Sequence, residues 1–312
     1  MPEQTAPVAK PRGEDRPLKR LPDTVQQTDK LPDGPEPVAV EIEYPSRSEL
    51  QPVSENVDEV LDALPGRIVS ADWVEACAAL GTLRQLAVHA DPVVLGSRLE
   101  TLVPPVIKSV RSLRSTITKT AILAVGDLFQ SLGDAMLPFL DVGGATAPTT
   151  SLLCCLLLKA ASNEKQFVVA EAQTTLRHAA ESLSPAPLVD RLLPYTEHKN
   201  PKVRARAAVV LEETWARAAL APGDLTRVLP VAGRLVTDNV PEAREAAKKL
   251  LARAHDLFLR EQGSEAVQSV LERALAEAQA ADEAGDAKGP WELYCRAILP
   301  GSVAIAVLKV QQ

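Results

Sequence analysis

Five short corners punctuate this chain at intervals of roughly 40 residues, and few folds accept that spacing. They lie at 70–73, 113–116, 162–167, 200–203 and 239–242, each setting a turn or capping residue ahead of a long amphipathic segment. Two helices per period of this length is the pattern of HEAT and armadillo arrays. In such arrays the turns along one edge form a continuous ridge, the usual binding surface. The expected fold is therefore all-α, an α-solenoid of about six helix pairs without a sheet. Three corners carry a cation in or beside the turn: Arg114, Lys165 and Lys202. The architecture points to binding and away from catalysis.

Between the corners the apolar residues recur with a helical period. In 73–88, Ala76, Leu80, Leu83 and Ala87 make one buried stripe, and Asp72 with Glu75 three residues on resembles a capping box. In 116–132 the stripe is Ile117, Ala121, Ala124, Val125, Leu128 and Leu132, with Gly133 where glycine closes a helix. Asn200 followed by Pro201 supplies a cap and a proline at the first helical position. The other predicted helices are 57–64, 95–113, 152–161, 167–182, 187–197, 201–219, 225–237, 241–261, 267–279, 291–299 and 303–310. Phe167 and Trp215 fall at core-facing positions. The chain divides into an arm (1–52), a repeat core (53–262) and an atypical capping repeat (263–312) that contains Trp291, Tyr294 and Leu308. A solenoid end needs such a cap because its last face has no neighbour. The arm holds 10 of the 25 prolines and no apolar period, so it is expected to be disordered. Only 38–44 alternates in the manner of a strand that pairs within a complex.

Composition narrows the function classes. Apolar residues make up 46% of the chain but aromatics only 3%, so alanine and leucine must fill the core. No apolar run reaches the roughly 18 residues of a membrane span, and the charged, Pro-rich start lacks the apolar stretch of a signal peptide. Residues 1–52 hold 7 basic and 10 acidic side chains and residues 261–312 hold 4 and 8, leaving 23 of each between. A neutral middle with acidic ends gives no footprint for nucleic acid. Cys77, Cys154, Cys155 and Cys295 have no metal-ligand spacing and read as reduced core residues. His89, His178, His198 and His255 are scattered, and Gly143–Gly144 lacks the Lys and strand of a phosphate loop. No metal, cofactor or catalytic set is expected.

Several segments resemble a known family. SADWVEACAALGTLRQL (70–86) and VIKSVRSLRSTITKTAILAVGDLFQSLG (106–133) are similar to the TOG domains of microtubule regulators, CLASP-type ones included. The likeness continues through LLLKAASNEKQFVVAEAQTTLRHAAESLSP (156–185) and NPKVRARAAVVLEE (200–213). These pieces look nearest to the axonemal TOG array regulators and to single-TOG proteins of plants and algae, whose tail GPWELYCRAILPGSVAIAVLKV (289–310) also resembles. The resemblance implies a non-enzymatic paddle of six HEAT-type repeats whose turn ridge binds αβ-tubulin or the microtubule lattice. By position it implies Trp73 as the aromatic anchor and Arg114, Lys165, Lys202 and Arg244 as cations meeting acidic tubulin. Where the family's strong tubulin binders place a basic residue after the Trp, this chain has Val74, Glu75 and Ala76, and Glu242 sits near Arg244. Weak, micromolar-range binding (about −8 kcal/mol) is the expectation. The implied location is the cytoplasmic cytoskeleton, with the cilium or flagellar axoneme as the finer expectation.

Two readings stay open from the residues alone. In one the ridge binds tubulin, which requires Trp73 exposed and the turn cations in line with it. In the other the array is a structural adaptor within an assembly such as an axoneme, held by its concave face or by its arm alongside other axonemal proteins. Trp73 would then merely cover the first turn, and Arg114, Lys202 and Arg204 would be a solvated face.

Overall fold

The computed structural model describes residues 42–141, 151–162, 165–280 and 289–310. Helices begin where the sequence caps them. Asn56, Asp72, Asp91 and Asn200 each accept the backbone N–H two residues on, at 2.7–3.0 Å. Pro92, Pro185, Pro201, Pro222, Pro241 and Pro290 each open a helix at the position where a missing N–H costs nothing.

These helices form two layers. The B layer holds α2 (Trp73–His89), α5 (Ser115–Leu132), α7 (Gln166–Ser182), α9 (Pro201–Arg217) and α11 (Pro241–Glu261). Neighbours in it run parallel, because their cross-links keep register: Trp73 meets Arg114 at the helix starts while Arg84 meets Asp127 in mid-helix. Further along, Gln130 bonds His178, Arg177 pairs with Glu213, and Glu212 with Arg253. The A layer holds α1 (Val57–Ile68), α4 (Leu99–Val110), α6 (Leu152–Ala160), α8 (Pro185–Leu192) and α10 (Pro222–Leu235), with the short α3 (Pro92–Gly96) between pairs. One continuous apolar core runs between the layers from Val60 to Val307, and no strand occurs among the described residues. The two stripes read from sequence are in it, with Ile117 and Leu132 at its margin. Trp215 is 1% exposed and fully internal.

Each pair leaves its B-layer helix starting on the same edge, so the five corners lie along one side of the stack. At the far end α12 (Glu265–Ala280), α13 (Pro290–Ile298) and α14 (Gly301–Val310) pack on the last pair instead of repeating it. Phe258 of α11 meets Trp291 and Tyr294 of α13, each at 5.1 Å between ring centres, and His255 meets Trp291 at 5.0 Å. A side chain on Gly233 of α10 would meet Val303 of α14 at 2.6 Å, so only glycine admits that contact. Gly133 closes α5 with φ +50°, a positive value that glycine adopts readily for want of a Cβ. All four cysteines are buried and free. Burial pushes the Cys155 thiol up to about 11 and Cys295 up to about 12, leaving little thiolate for chemistry at neutral pH.

Some elements depart from the sequence expectations. Helix α1 does not stop before Pro65 but runs on to Ile68, because Leu64 and Ile68 both face the core and their burial outweighs one lost backbone bond. The single helix expected over 95–113 is two, α3 and α4, the first started by the Asp91 cap and Pro92. The last part of the predicted arm is in contact with the repeats. Residues 1–41, with most of the alternating 38–44, lie outside the described residues, but 42–52 are seated on the core. Leu50 is buried and its carbonyl accepts the His89 Nε2–H at 2.7 Å. The loop 142–150 and the break at 282–288 also lie outside the described residues.

Candidate functional site

The ridge is best followed corner by corner. At the first, Ser70 Oγ accepts the Asp72 N–H at 3.2 Å and donates to Glu75 Oε2 at 2.6 Å. Glu75 thus turns back to Ser70 and to Arg67 (3.8 Å) and leaves the expected reciprocal capping box unmade, since a serine hydroxyl already serves the Asp72 N–H. Trp73, the first residue of α2, is half-buried. Over its ring lies the guanidinium of Arg114 from the second corner, 4.6 Å from the ring centre. Two of the sequence-predicted site residues therefore meet, and Trp73 is neither a core residue nor a freely projecting one.

The second corner is held by Ser112, whose hydroxyl accepts the Arg114 N–H at 3.1 Å and whose carbonyl accepts from Thr118 at 2.9 Å and from Lys159 at 3.5 Å. With that scaffold fixed, Leu113 projects fully into solvent, at 103% of its reference area. Val69 at the first corner is also exposed.

At the third corner Lys165 precedes α7 and is exposed. Phe167 is exposed too (42%), which corrects its reading as core: Val168 and Val169 occupy the two inward positions there. Two ammonium groups flank its ring, Lys119 at 5.6 Å and Lys165 at 5.8 Å. Lys119 also lies 3.9 Å from the ring of Tyr44, which comes from outside the repeats. Corners one to three thus carry an alternation of rings and cations, each cation–π contact worth about 0.5–1 kcal/mol at an exposed site.

Corners four and five are built otherwise. His198 Nδ1 accepts the Asn200 N–H at 3.1 Å, and Lys202 stays exposed on the first turn of α9. Arg204 turns inward, to the His198 carbonyl at 2.9 Å and to Asp238 Oδ2 at 2.8 Å. Arg244, expected on the ridge, likewise donates to the Asp238 carbonyl at 2.8 Å. Its guanidinium staples its own turn and is only half exposed. Burial alone would raise the Asp238 carboxyl, but the bond from Arg204 and those from the Val240 and Asn239 N–H groups outweigh it and hold it below the ordinary range.

Behind the first corners lies a polar seam that sequence reasoning did not find. Asp127 of α5, its side chain 5% exposed, pairs with the equally buried Arg84 at 2.7 Å. Arg47 from the N-terminal segment joins the same carboxylate at 3.2 Å, and also reaches the Asp127 carbonyl at 3.1 Å and Ser131 Oγ at 2.6 Å. Glu171 stands nearby, its carboxyl raised by burial against the opposing pull of Lys119 and Arg84. The only sequence signal is Ser46 with Glu49, which form a local cap: Glu49 Oε2 accepts the Ser46 N–H at 2.7 Å. Among the described residues no group of three His, Cys, Asp or Glu could hold a metal ion, and no helix is long and apolar enough to cross a membrane.

Against known proteins, residues 53–275 match the sequence model of the CLASP N-terminal family. No curated protein sequence matches the chain. Among solved structures the fold is similar to one from work on microtubule plus-end tracking by XMAP215, CLIP-170 and EB1, at TM-score 0.50 and 15% identity, covering 84% of this chain and 93% of that one. The N-terminal domain of MAST/Orbit aligns over 80% of this chain and 97% of its own, at TM-score 0.47 and 17% identity.

Proposed function

We propose, from the premise that this chain belongs to the CLASP N-terminal family of TOG domains, that it binds tubulin or the microtubule lattice without catalysing a reaction. Binding goes through the turn edge, with Trp73 as its anchor, Arg114, Lys165 and Lys202 as outward cations, and Arg244 in a supporting place. The observation that carries this reading is the Arg114 guanidinium over the Trp73 ring at 4.6 Å. That contact joins the first two corners into one surface in which an aromatic face and a cation are presented together. Aromatic and Arg side chains of this kind are the usual anchors of an interface. A row of cations on one edge steers an acidic partner towards it, although the chain as a whole is acidic.

The domain acts by differential affinity for curved dimer and straight lattice, which needs no chemistry of its own. The protein works in the cytoplasmic cytoskeleton, and the ciliary axoneme is its finer address. The arm and the capping repeat flank the binding core at 53–262. The test is microtubule co-pelleting with the full chain. Trp73→Ala should cost on the order of 2 kcal/mol of affinity while circular dichroism stays that of the folded protein. Unchanged pelleting by Trp73→Ala and by the double reversal Arg114→Glu/Lys202→Glu would remove the reading and leave the structural adaptor in its place.

A further inference from the structure

The N-terminal segment is anchored more firmly than a tail that merely precedes a domain. Arg47 reaches three acceptors on α5, two on Asp127 and one on Ser131. Leu50 is buried and its carbonyl is bonded to His89 of α2, so the segment ties α2 and α5 together. The Ser46–Glu49 cap fixes the short turn between those anchors and Tyr44. A cleft of 310 Å³ lies beneath the segment, lined by Tyr44, Arg47, Arg84, Lys119, Glu171 and His178 among others.

These anchors deliver Tyr44 to the ridge. Its phenol lies beside Thr116 and Thr120 on the first turns of α5, and its hydroxyl is pushed above its ordinary value by burial. The residue is 36% exposed and its ring stands against Lys119. Lys119 is thereby held between two rings, at 3.9 Å from Tyr44 and 5.6 Å from Phe167. Among the described residues it has no carboxylate at ion-pair distance. Glu171 stands nearby, its carboxyl raised by burial against the opposing pull of Lys119.

We propose that the segment 42–50 is a strap that completes the binding ridge, presenting Tyr44, Lys119 and Phe167 as a second aromatic and cationic subsite for an acidic polypeptide surface. This rests on the tubulin-binding reading, and the acidic surface is then tubulin's own. An ammonium between two exposed rings suits a carboxylate with an apolar side chain beside it: the charge takes the carboxylate and the ring faces take the neighbour. The strap also makes the first three corners cohere, because Tyr44 stands against Lys119 near the α5 start, and Lys119 in turn reaches the Phe167 ring at the third corner.

The experiment uses the full chain and microtubule co-pelleting at low and moderate salt, with thermal melts as the folding control. Tyr44→Ala and Lys119→Gln should each weaken binding about fivefold, the scale of one cation–π contact, and Tyr44→Phe should stay within about twofold of wild type. Arg47→Ala should weaken it as Tyr44→Ala does, since the seat and not the ring is lost, while Asp127 keeps Arg84. If Trp73→Ala weakens binding but Tyr44→Ala and Lys119→Gln do not, the strap is overturned and tubulin binding by the ridge stands. If Trp73→Ala, Tyr44→Ala and Lys119→Gln all leave pelleting unchanged, the tubulin reading fails and takes the strap with it. Because Tyr44→Ala leaves every anchor of the segment in place, misfolding of Arg47→Ala would not rescue the idea.

Discussion

The first three corners and the last two stand at equivalent places in the stack yet spend their cations differently. Arg114, Lys119 and Lys165 lie over aromatic rings at the surface. Arg204 and Arg244 instead bond Asp238 and the carbonyls around it. The deciding residue is Asp238, whose carboxylate takes Arg204 from the fourth corner and the Val240 N–H while its carbonyl takes Arg244; in the second turn Ser112 does the backbone's work without an acid. A cation at a corner stays available to a partner only where neither its own turn nor the next one holds an acceptor within its reach. Equivalent position in a repeat is thus not equivalent function.

The largest effect should come from removing that acid. Asp238→Ala takes the carboxylate from Arg204, leaving it the His198 carbonyl, and frees the Val240 N–H, and should cost about 3 kcal/mol of stability in urea titration. Microtubule affinity should barely change. A matching loss of affinity in protein that is still folded would break the division between the two sets of corners.

Next, Arg114→Ala and Arg244→Ala should separate. Arg114→Ala is expected to lose about 1 kcal/mol of affinity with stability unchanged within about 0.5 kcal/mol. Arg244→Ala should reverse this, losing about 1 kcal/mol of stability for its bond to the Asp238 carbonyl. Equal behaviour of the two would erase the distinction.

Acid sharpens the same contrast. The Asp238 carboxyl is held below its unfolded value of about 3.9, so its contribution is complete above that value and fades as pH falls through the folded one. The stability gap between wild type and Asp238→Asn should therefore be full at pH 7 and close below about pH 4. A gap that closed instead between pH 6 and 7 would point to a histidine.

The smallest effect is kinetic. Charge reversal at Arg114 should slow association a few-fold at low ionic strength, and added salt should hide it, because exposed charges are screened within about 10 Å at 0.1 M. Stopped-flow association over a salt series measures this.

The corners were legible in the sequence because their signals are local: Asp72 and Asn200 cap within two residues, and Gly133 marks its own stop. The same logic was present at Asp91–Pro92, but apolar period alone runs α3 and α4 together. Trp73 and Arg114 were legible as candidates, and their contact across 41 residues was not. The strap was not legible at all, since Arg47 finds Asp127 80 residues away, within a stretch whose prolines argue for disorder. Phe167 misleads because four apolar residues in a row, 167–170, leave the helix phase undecided, and Val168 and Val169 take the inside. Nor does sequence separate a ridge cation from a turn staple, as Arg244 shows.

The fit of α14 against Gly233 bears on how such an array can change length over evolution. A unit inserted after α11 would have to reproduce the notch at Gly233 and the ring contacts of Phe258 with Trp291 and Tyr294. The far end of the stack is therefore fixed by contacts that an added unit would have to rebuild, much as a sewn stop ends a zip.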